Sequence, residues 1–187
     1  FKLLLNFFFK LSLKEKLLYV FMDEIYKTIT DFDNYEISSL GNVRNIKTNK
    51  NLKHSVSGYG YYKVTLMNKN KRTNKYIHKL VAEAYIENPF DKMLVDHIDN
   101  DKTNNNVSNL RFATHQENNM NKNLQSNNTS TVKGVYFAKY AKKWRAVIKI
   151  DGITIHLGYF DNIEDAKQAR INKANEVFGV FKNACEN

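Results

Sequence analysis

The sequence contains very little cysteine and proline, with one of each among its 187 residues. A single cysteine, Cys185, excludes an intramolecular disulfide and a cysteine-rich zinc site. Disulfide-free chains are typical of reducing compartments, so we expect an intracellular protein that is not secreted.

Long uninterrupted hydrophobic runs are also missing, because Asn6, Glu15 and several lysines divide the apolar segment 1–21. A membrane-spanning helix needs about 20 predominantly apolar residues, and a signal peptide needs an unbroken apolar stretch. We therefore expect no membrane partner, although a helix lying on a surface is not excluded. The chain does not begin with Met, and Met22 opens the first patterned stretch. We interpret residues 1–21 as an extension of doubtful relevance.

Acidic residues are few relative to basic ones, with 19 Asp and Glu against 29 Lys and Arg and a net charge of +10. This surplus favours a polyanionic partner: nucleic acid first and an acidic membrane surface second. Hydrophobic residues make up 42% of the chain, which is sufficient for small cores divided among modules. No pattern indicates an obligate protein partner.

Residues 22–72 predict a β-rich module, because short β-prone pieces alternate with glycine turns. Tyr62, Val64 and Leu66 alternate with more polar residues, as in a half-buried strand. Basic residues and tyrosines are interleaved, which suits contacts with a nucleic-acid backbone. We predict that Arg44 and Lys63 bind DNA; a solvated strand face is the alternative.

Residues 73–122 predict a helix, then a strand, a loop, a second strand and a second helix. In the first helix, apolar residues at helical spacing share one face: Leu80, Val81, Ala84 and Tyr85. The first strand, "MLVDHI", carries Asp96 and His97, and the second, "NLRFA", begins at Asn109. "THQE" is a capping box that starts the second helix at His115.

Residues 123–131 lack periodicity and predict a linker, and 132–181 predict a hairpin followed by a helix that ends at Gly179. A two-residue turn at Asp151-Gly152 fixes the register of the hairpin. It places four apolar pairs on one face, which the helix should cover: Ile150–Ile153, Ile148–Ile155, Ala146–Leu157 and Trp144–Tyr159. The other face is mostly cationic or polar: Lys143, Arg145, Val147, Lys149, Thr154 and His156.

The Asp- and Asn-rich loop does not fit a calcium-binding EF-hand, because Asn104 stands where Gly is required and Leu110 where Glu is required. A single hard-metal site fits better. The carboxylate of Asp96 and the amide oxygen of Asn118 suit Mg²⁺ or Mn²⁺. His97 can deprotonate water near neutral pH, and Asn109 can orient its ring. In ideal strand geometry His97 points away from Asp96, so a twist or bulge is needed.

This stretch resembles the HNH nuclease motif of phage-intron homing endonucleases, which belong to mobile elements. His97 matches its first His, Asn109 its middle Asn and Asn118 its last position, while Asp96 matches the acidic metal ligand before the first His. The resemblance implies a ββα-metal nuclease core. It also implies Mg²⁺-dependent hydrolysis of double-stranded DNA, with His97 and Asn109 as catalytic residues.

The flanking segments also resemble known modules. "YKTITDFDNYEISSLGNVRN" is similar to nuclease-associated motifs at the N-terminus of such enzymes. "KGVYFAKYAKKWRAVIKIDGITIHLGYFDNIEDAKQA" resembles the Apetala-type DNA-binding domain of plant ethylene-response factors. With the hairpin register, this resemblance implies a set of DNA-binding residues: Lys133, Tyr136, Lys143, Arg145, Lys149 and His156.

The sequence therefore predicts an α+β protein of small modules: a β-rich module, a ββα-metal core and a three-stranded antiparallel sheet packed on one helix. The leading hypothesis is a DNA endonuclease targeted by its flanking modules. The alternative is a DNA-binding regulator with a vestigial nuclease site, and a membrane-surface protein ranks third.

Overall fold

The computed structural model describes residues 24–124, 126 and 128–181. The predicted extension, residues 1–21, lies outside these residues. The described residues form two compact units, one with 24–87 and 102–108, the other with 88–101 and the described residues of 109–181. In the part that the structure describes, no helix combines the length and apolar character needed to cross a membrane.

The first unit contains two small antiparallel sheets and a helix. One sheet has the order β1-β2-β3-β4, with strands Tyr26–Ile29, Phe32–Ser38, Val43–Asn45 and Lys50–Asn51. The other has the order β5-β6-β7, with strands Ser55–Val56, Tyr62–Asn68 and Lys71–Tyr76. The predicted alternation in β6 is confirmed, because Val64 and Leu66 are buried.

Helix α1, Ile77–Tyr85, follows β7 directly and packs into the first unit. Leu80 and Val81 are buried as predicted, while Ala84 and Tyr85 are only partly buried. The Tyr85 hydroxyl lies 2.6 Å from the Ile25 carbonyl oxygen and 2.8 Å from that of Ile37. Burial raises the pKa of Tyr85 to about 12.

The structure confirms the predicted strand, loop, strand and helix in residues 94–121, of which the loop residues 102–108 belong to the first unit. Strand β8, Leu94–His97, pairs antiparallel with β9, Leu110–Ala113, which follows a short 3-10 helix, Val107–Asn109. Helix α2, His115–Asn121, starts with the predicted capping box. The Glu117 amide donates to Thr114 Oγ1 at 3.2 Å, and the Thr114 amide donates to Glu117 Oε2 at 2.7 Å.

The C-terminal part of the second unit is a three-stranded antiparallel sheet packed on one helix, as predicted. Strands β10, Val135–Ala138, β11, Lys143–Ile150, and β12, Ile153–Phe160, lie in that order. Helix α3, Ile163–Phe178, covers the sheet, and a 3-10 helix, Gly179–Phe181, follows it. Two clusters of buried side chains join them: Val132, Val135, Ala146 and Ala166, and Ile148, Ala174 and Phe178. The predicted α+β class is confirmed.

The predicted hairpin register is correct near the turn and wrong beyond it. Ile150 pairs with Ile153 and Ile148 with Ile155, but the register shifts between Ala146 and Val147. The predicted pairs Ala146–Leu157 and Trp144–Tyr159 are therefore replaced by three others: Ala146–Gly158, Arg145–Tyr159 and Trp144–Phe160. A β-bulge causes the shift by adding one residue to β12. The extra residue lies beside Gly158, whose φ of +143° is a backbone conformation that favours glycine.

The apolar hairpin face is also less completely covered than predicted, because Ile153 is 67% exposed at the turn. The predicted linker, residues 123–131, is partly folded where it is described. Ser130 is buried, and its hydroxyl donates to the Val132 carbonyl at 2.8 Å. Met120 of α2 packs against Ile148, Ala174 and Phe178. The two compact units thus do not coincide with the domains predicted from the sequence. Those domain boundaries remain a prediction.

Candidate functional site

Asp96 occupies the third position of β8 and is only 4% exposed. It faces Arg111 of β9 directly across the ladder. The guanidinium places Nε at 2.9 Å and Nη2 at 2.8 Å from the same carboxylate oxygen, Oδ2. Arg111 thus supplies a countercharge to a buried carboxylate.

Asn121, the last residue of α2, reaches the same carboxylate and is 2% exposed. Its Nδ2 lies 3.2 Å from Oδ1 and 3.1 Å from Oδ2 of Asp96, and it donates to the His97 carbonyl at 2.8 Å. Neither Arg111 nor Asn121 is among the predicted site residues. The one available signal for Asn121 is its spacing from Asn118, three positions along a helix, which puts both on one side.

His97 ends β8, is buried, and pairs with Leu110. The β8–β9 register is regular, so the bulge proposed as one way to bring Asp96 and His97 together does not occur in this ladder. The chain turns immediately after the strand, where the Asn100 amide donates to the His97 carbonyl at 2.9 Å and Asn100 has a φ of 64°. His97 therefore lies at the point where the strand becomes loop.

Asn109 shapes this turn through Asp99. Its Oδ1 accepts from the Asp99 amide at 3.0 Å, and its Nδ2 donates to Asp99 Oδ1 at 2.8 Å. The Asn109 carbonyl also accepts from the Ile98 amide at 2.8 Å. These bonds fix the backbone of the two residues that follow His97, and Asn109 itself lies one residue before β9 begins.

Asn118 lies in the first turns of α2 and is half-buried. The helix start that carries it is held by the capping box. Burial acts to raise the pKa of Glu117, but hydrogen bonds from Lys92 and Thr114 outweigh it and hold that pKa below its usual value. Lys92 Nζ lies 2.7 Å from Glu117 Oε1 and ties the loop before β8 to this helix.

The described residues contain no group of three or more His, Cys, Asp or Glu side chains that could hold a metal ion. Oxygen donors are nevertheless present. Asp96 Oδ1 accepts from the Asn121 amide at 3.2 Å, whereas Arg111 is bound to Oδ2. A carboxylate oxygen has about two acceptor positions, so Oδ1 retains capacity for a hard cation.

The exposed face of the C-terminal sheet centres on Arg145. Its guanidinium carbon lies 5.8 Å from the centre of the Tyr136 ring and 5.9 Å from that of Tyr159. The His156 ring packs 4.6 Å from Tyr159, and the Tyr159 hydroxyl is hydrogen-bonded to that of Tyr140. The hydrogen bond with Tyr140 raises the pKa of Tyr159. The bulge thus adds Tyr159, which had been predicted for the apolar face.

The other predicted DNA-binding residues differ in their surroundings. Lys149 is exposed on the same face as Arg145. Lys133 Nζ instead donates to the Met120 carbonyl at 2.7 Å, and Lys143 Nζ lies 3.1 Å from Asp161. In the first unit, Arg44 has an ion-pair partner within the fold, because its Nε is 2.8 Å from Glu36 Oε2. Lys63 lies in the central strand β6, where its backbone is in register with Ser55 and Tyr76.

Comparisons with known proteins identify two segments of the chain. Residues 75–120 match the model of the HNH endonuclease family, and residues 24–67 match the NUMOD4 motif. The DNA endonuclease I-HmuI of Bacillus phage SP01 is 33% identical over 130 residues, covering 68% of this chain and 74% of that protein. The H-N-H endonuclease F-TflII of Escherichia phage T5 is 33% identical over 96 residues, covering 50% of each.

An uncharacterized HNH endonuclease of Acanthamoeba polyphaga mimivirus, L245, is 43% identical over 93 residues, or 50% of this chain. The chain spans only 28% of that relative and 25% of a second one, L247. Among solved structures, one titled "DNA binding and cleavage by the HNH homing endonuclease I-HmuI" matches with a TM-score of 0.50 and 27% identity, over 83% of both chains. Both family matches end by residue 120, so the resemblance of the C-terminal sheet to ethylene-response factors stays a prediction.

Proposed function

The chain belongs to the HNH endonuclease family, and we propose that it is a homing-type DNA endonuclease that hydrolyses phosphodiester bonds in double-stranded DNA. One observation carries the proposal: Asp96 and His97 are adjacent at the end of β8 within the family-matched segment, and Asn121 of α2, one residue beyond that segment, donates to the Asp96 carboxylate and the His97 carbonyl. The family matches confirm the predicted HNH segment and the N-terminal nuclease-associated motif.

HNH nucleases use divalent metals, and we propose Mg²⁺ or Mn²⁺ here. Asp96 Oδ1 and the Asn118 side-chain oxygen are the residues that would hold the ion, because two hard oxygen ligands leave positions for water and substrate phosphate. When bound, the ion supplies charge stabilisation for the leaving 3′ oxygen. The burial of Asp96 and its charge pairing with Arg111 support this assignment, since they fix a carboxylate in one orientation.

His97 is the proposed general base. A neutral imidazole has an ordinary pKa of about 6.5 and accepts a proton from water near neutral pH. Attack of that water in line with the leaving oxygen leaves 5′-phosphate and 3′-hydroxyl ends. Asn109 is proposed to act with it by fixing the turn that follows His97, through its two hydrogen bonds to Asp99.

The flanking modules are proposed to grip the duplex. On the C-terminal sheet, Lys149 and His156 are exposed on the same face as Arg145, which suits phosphate and base contacts. This arrangement supports the predicted ethylene-response-factor type of binding, with Tyr136 beside Arg145 and with Lys133 and Lys143 as further proposed contacts. Arg44 and Lys63 are proposed as contacts from the N-terminal module, where Arg44 stacks 3.7 Å from the Tyr26 ring.

A DNA-binding regulator with a vestigial nuclease site is the second candidate function. The two candidates share the basic surfaces and differ in the use of four residues: Asp96, His97, Asn109 and Asn118. An intact set of these residues favours the enzyme, since a regulator that only binds DNA needs none of them for cleavage.

The experiment that tests the proposal is incubation of the purified chain with a random duplex library, with Mg²⁺ or with a chelator. The cut ends are then mapped by sequencing. We expect cuts only with metal, carrying 5′-phosphates and clustered around a preferred sequence. Binding to the library without any cut at any metal concentration would support the regulator instead.

A further inference from the structure

The carboxylate of Asp96 is held from two sides by groups outside the HNH motif residues. Arg111 places two nitrogens on Oδ2, at 2.9 and 2.8 Å, and Asn121 approaches both oxygens from the end of α2. The Nε hydrogen bond and the ion pair to Oδ2, together with the Asn121 amide against both oxygens, restrict rotation of the carboxylate. The other oxygen, Oδ1, is therefore presented in a fixed direction.

Arg111 is itself held by residues that follow the C-terminal helix. The Phe181 ring lies 4.1 Å from its guanidinium carbon, and the Val180 carbonyl accepts a hydrogen bond from its Nη1. Lys92 Nζ lies 5.1 Å from the centre of the same ring and also pairs with Glu117 of α2. The 3-10 helix Gly179–Phe181, here called the C-terminal brace, thus packs on the residue that pairs with Asp96.

From these contacts we infer that Arg111 is a positioning residue for the metal site, and that the C-terminal brace keeps Arg111 in the orientation that Asp96 requires. The inference rests on the proposed function, since it takes Asp96 as the ligand of a divalent cation. It adds that the brace, which follows the proposed DNA-binding sheet and helix in the chain, contributes to cation binding at the nuclease strand.

The direction in which cation affinity changes when the Asp96–Arg111 pair is weakened shows whether Arg111 positions the carboxylate or competes with the cation for it. If Arg111 only competed with the cation for the Asp96 carboxylate, weakening the ion pair would tighten cation binding. If Arg111 positions the carboxylate, weakening the pair loosens cation binding. Changes to outer partners of metal ligands typically cost about 10- to 100-fold in affinity.

The test is a Mn²⁺ titration of the full chain without DNA, in which free Mn²⁺ is measured by electron paramagnetic resonance. Arg111→Lys keeps the charge but cannot place two nitrogens on Oδ2. We expect it to bind Mn²⁺ about 10-fold more weakly than wild type. Phe181→Leu should also weaken Mn²⁺ binding, but by a smaller factor than Arg111→Lys. The matched controls are Arg72→Lys and Phe90→Leu, which change the same residue types at exposed positions and should bind as wild type does.

A second readout is the Mn²⁺ dependence of plasmid nicking by the same variants. We expect the half-maximal Mn²⁺ concentration to rise in Arg111→Lys, while the rate at saturating Mn²⁺ and the affinity for DNA stay within about twofold of wild type. A structural defect would instead lower the saturating rate.

Each failure has a separate signature. Unchanged or tighter Mn²⁺ binding in Arg111→Lys, with Asp96→Ala losing the ion, would overturn the positioning role alone. Unchanged Mn²⁺ binding in Asp96→Ala would overturn the metal assignment in the proposed function. If Arg111→Lys weakens Mn²⁺ binding while Phe181→Leu has the same Mn²⁺ affinity as the control Phe90→Leu, the role assigned to the brace is wrong.

Discussion

Arg145 and Tyr159 face each other across strands β11 and β12, with the guanidinium carbon 5.9 Å from the centre of the tyrosine ring. This pairing exists because a bulge shifts the register between Ala146 and Val147. It surrounds the one arginine of the sheet with the rings of Tyr136 and Tyr159, and aromatic neighbours orient a guanidinium without neutralising its charge.

Replacing Arg145 and Lys149 together with Ala should therefore weaken DNA binding in a salt-dependent way. If both contact phosphates, the slope of log affinity against log salt should fall in magnitude by about two. The measurement is fluorescence anisotropy with the full chain, because Met120 of α2 packs into the same core as the sheet.

The matched control is the double mutant Lys167→Ala, Lys173→Ala, which removes two positive charges from helix α3 instead of from the sheet. These lysines pair with Glu164 and Glu176 on α3. The control slope should stay close to that of wild type. Equal slopes in wild type and in the sheet double mutant would mean that this face does not hold DNA.

Substitutions of the two proposed metal ligands should lower cleavage to different extents, depending on whether the new side chain still offers an oxygen ligand. Asp96→Ala should abolish Mg²⁺-dependent cutting, whereas Asn118→Asp should retain part of it because an oxygen ligand remains. The rates are compared across a Mg²⁺ titration, with Asp165→Ala on the exposed side of α3 as the control for loss of one carboxylate. Wild-type activity in Asp96→Ala at every Mg²⁺ concentration is the result that contradicts the metal assignment.

Local sequence signals account for the elements that carry the site. The capping box at Thr114 and Glu117 predicted the start of α2, and both of its hydrogen bonds form. The turn at Asp151-Gly152 predicted the first four residue pairs of the hairpin, because two residues with positive φ match the twist of the strands. Such signals depend only on residues close together in the chain.

Tertiary packing decides the features that the sequence could not predict. Leu157 packs against both hydrophobic clusters, as its predicted face implies, but the bulge in β12 moves Tyr159 from that face to the side of Arg145, and no local pattern specifies the bulge. The Asp96–Arg111 pair depends on the register of β8 and β9, and the role of Asn121 depends on where α2 packs. Composition likewise predicted a positive net charge, but it could not show which lysine side chains bind other residues of the fold. Lys133, for example, donates a hydrogen bond to the Met120 carbonyl.

Burial in the C-terminal sheet can be tested with two isoleucines of the same hairpin. Ile148 is 1% exposed and Ile153 is 67% exposed. Ile148→Asp should destabilise the second unit by at least about 3 kcal/mol, because it removes core contacts and buries an unpaired charge. Ile153→Asp should stay within about 0.5 kcal/mol of wild type. Chemical denaturation monitored at Trp144 compares the two, and equal losses of stability would contradict the observed packing.

The general-base assignment of His97 is tested most directly by measuring binding and cleavage side by side in His97→Ala. We predict that its affinity for duplex DNA in the presence of Ca²⁺ stays within about twofold of wild type, because the side chain acts on water and not on the duplex. Cleavage in Mg²⁺ at neutral pH should fall by about 10²-fold or more, the usual contribution of a general base. Cleavage by His97→Ala at the wild-type rate under the same conditions would contradict the mechanism.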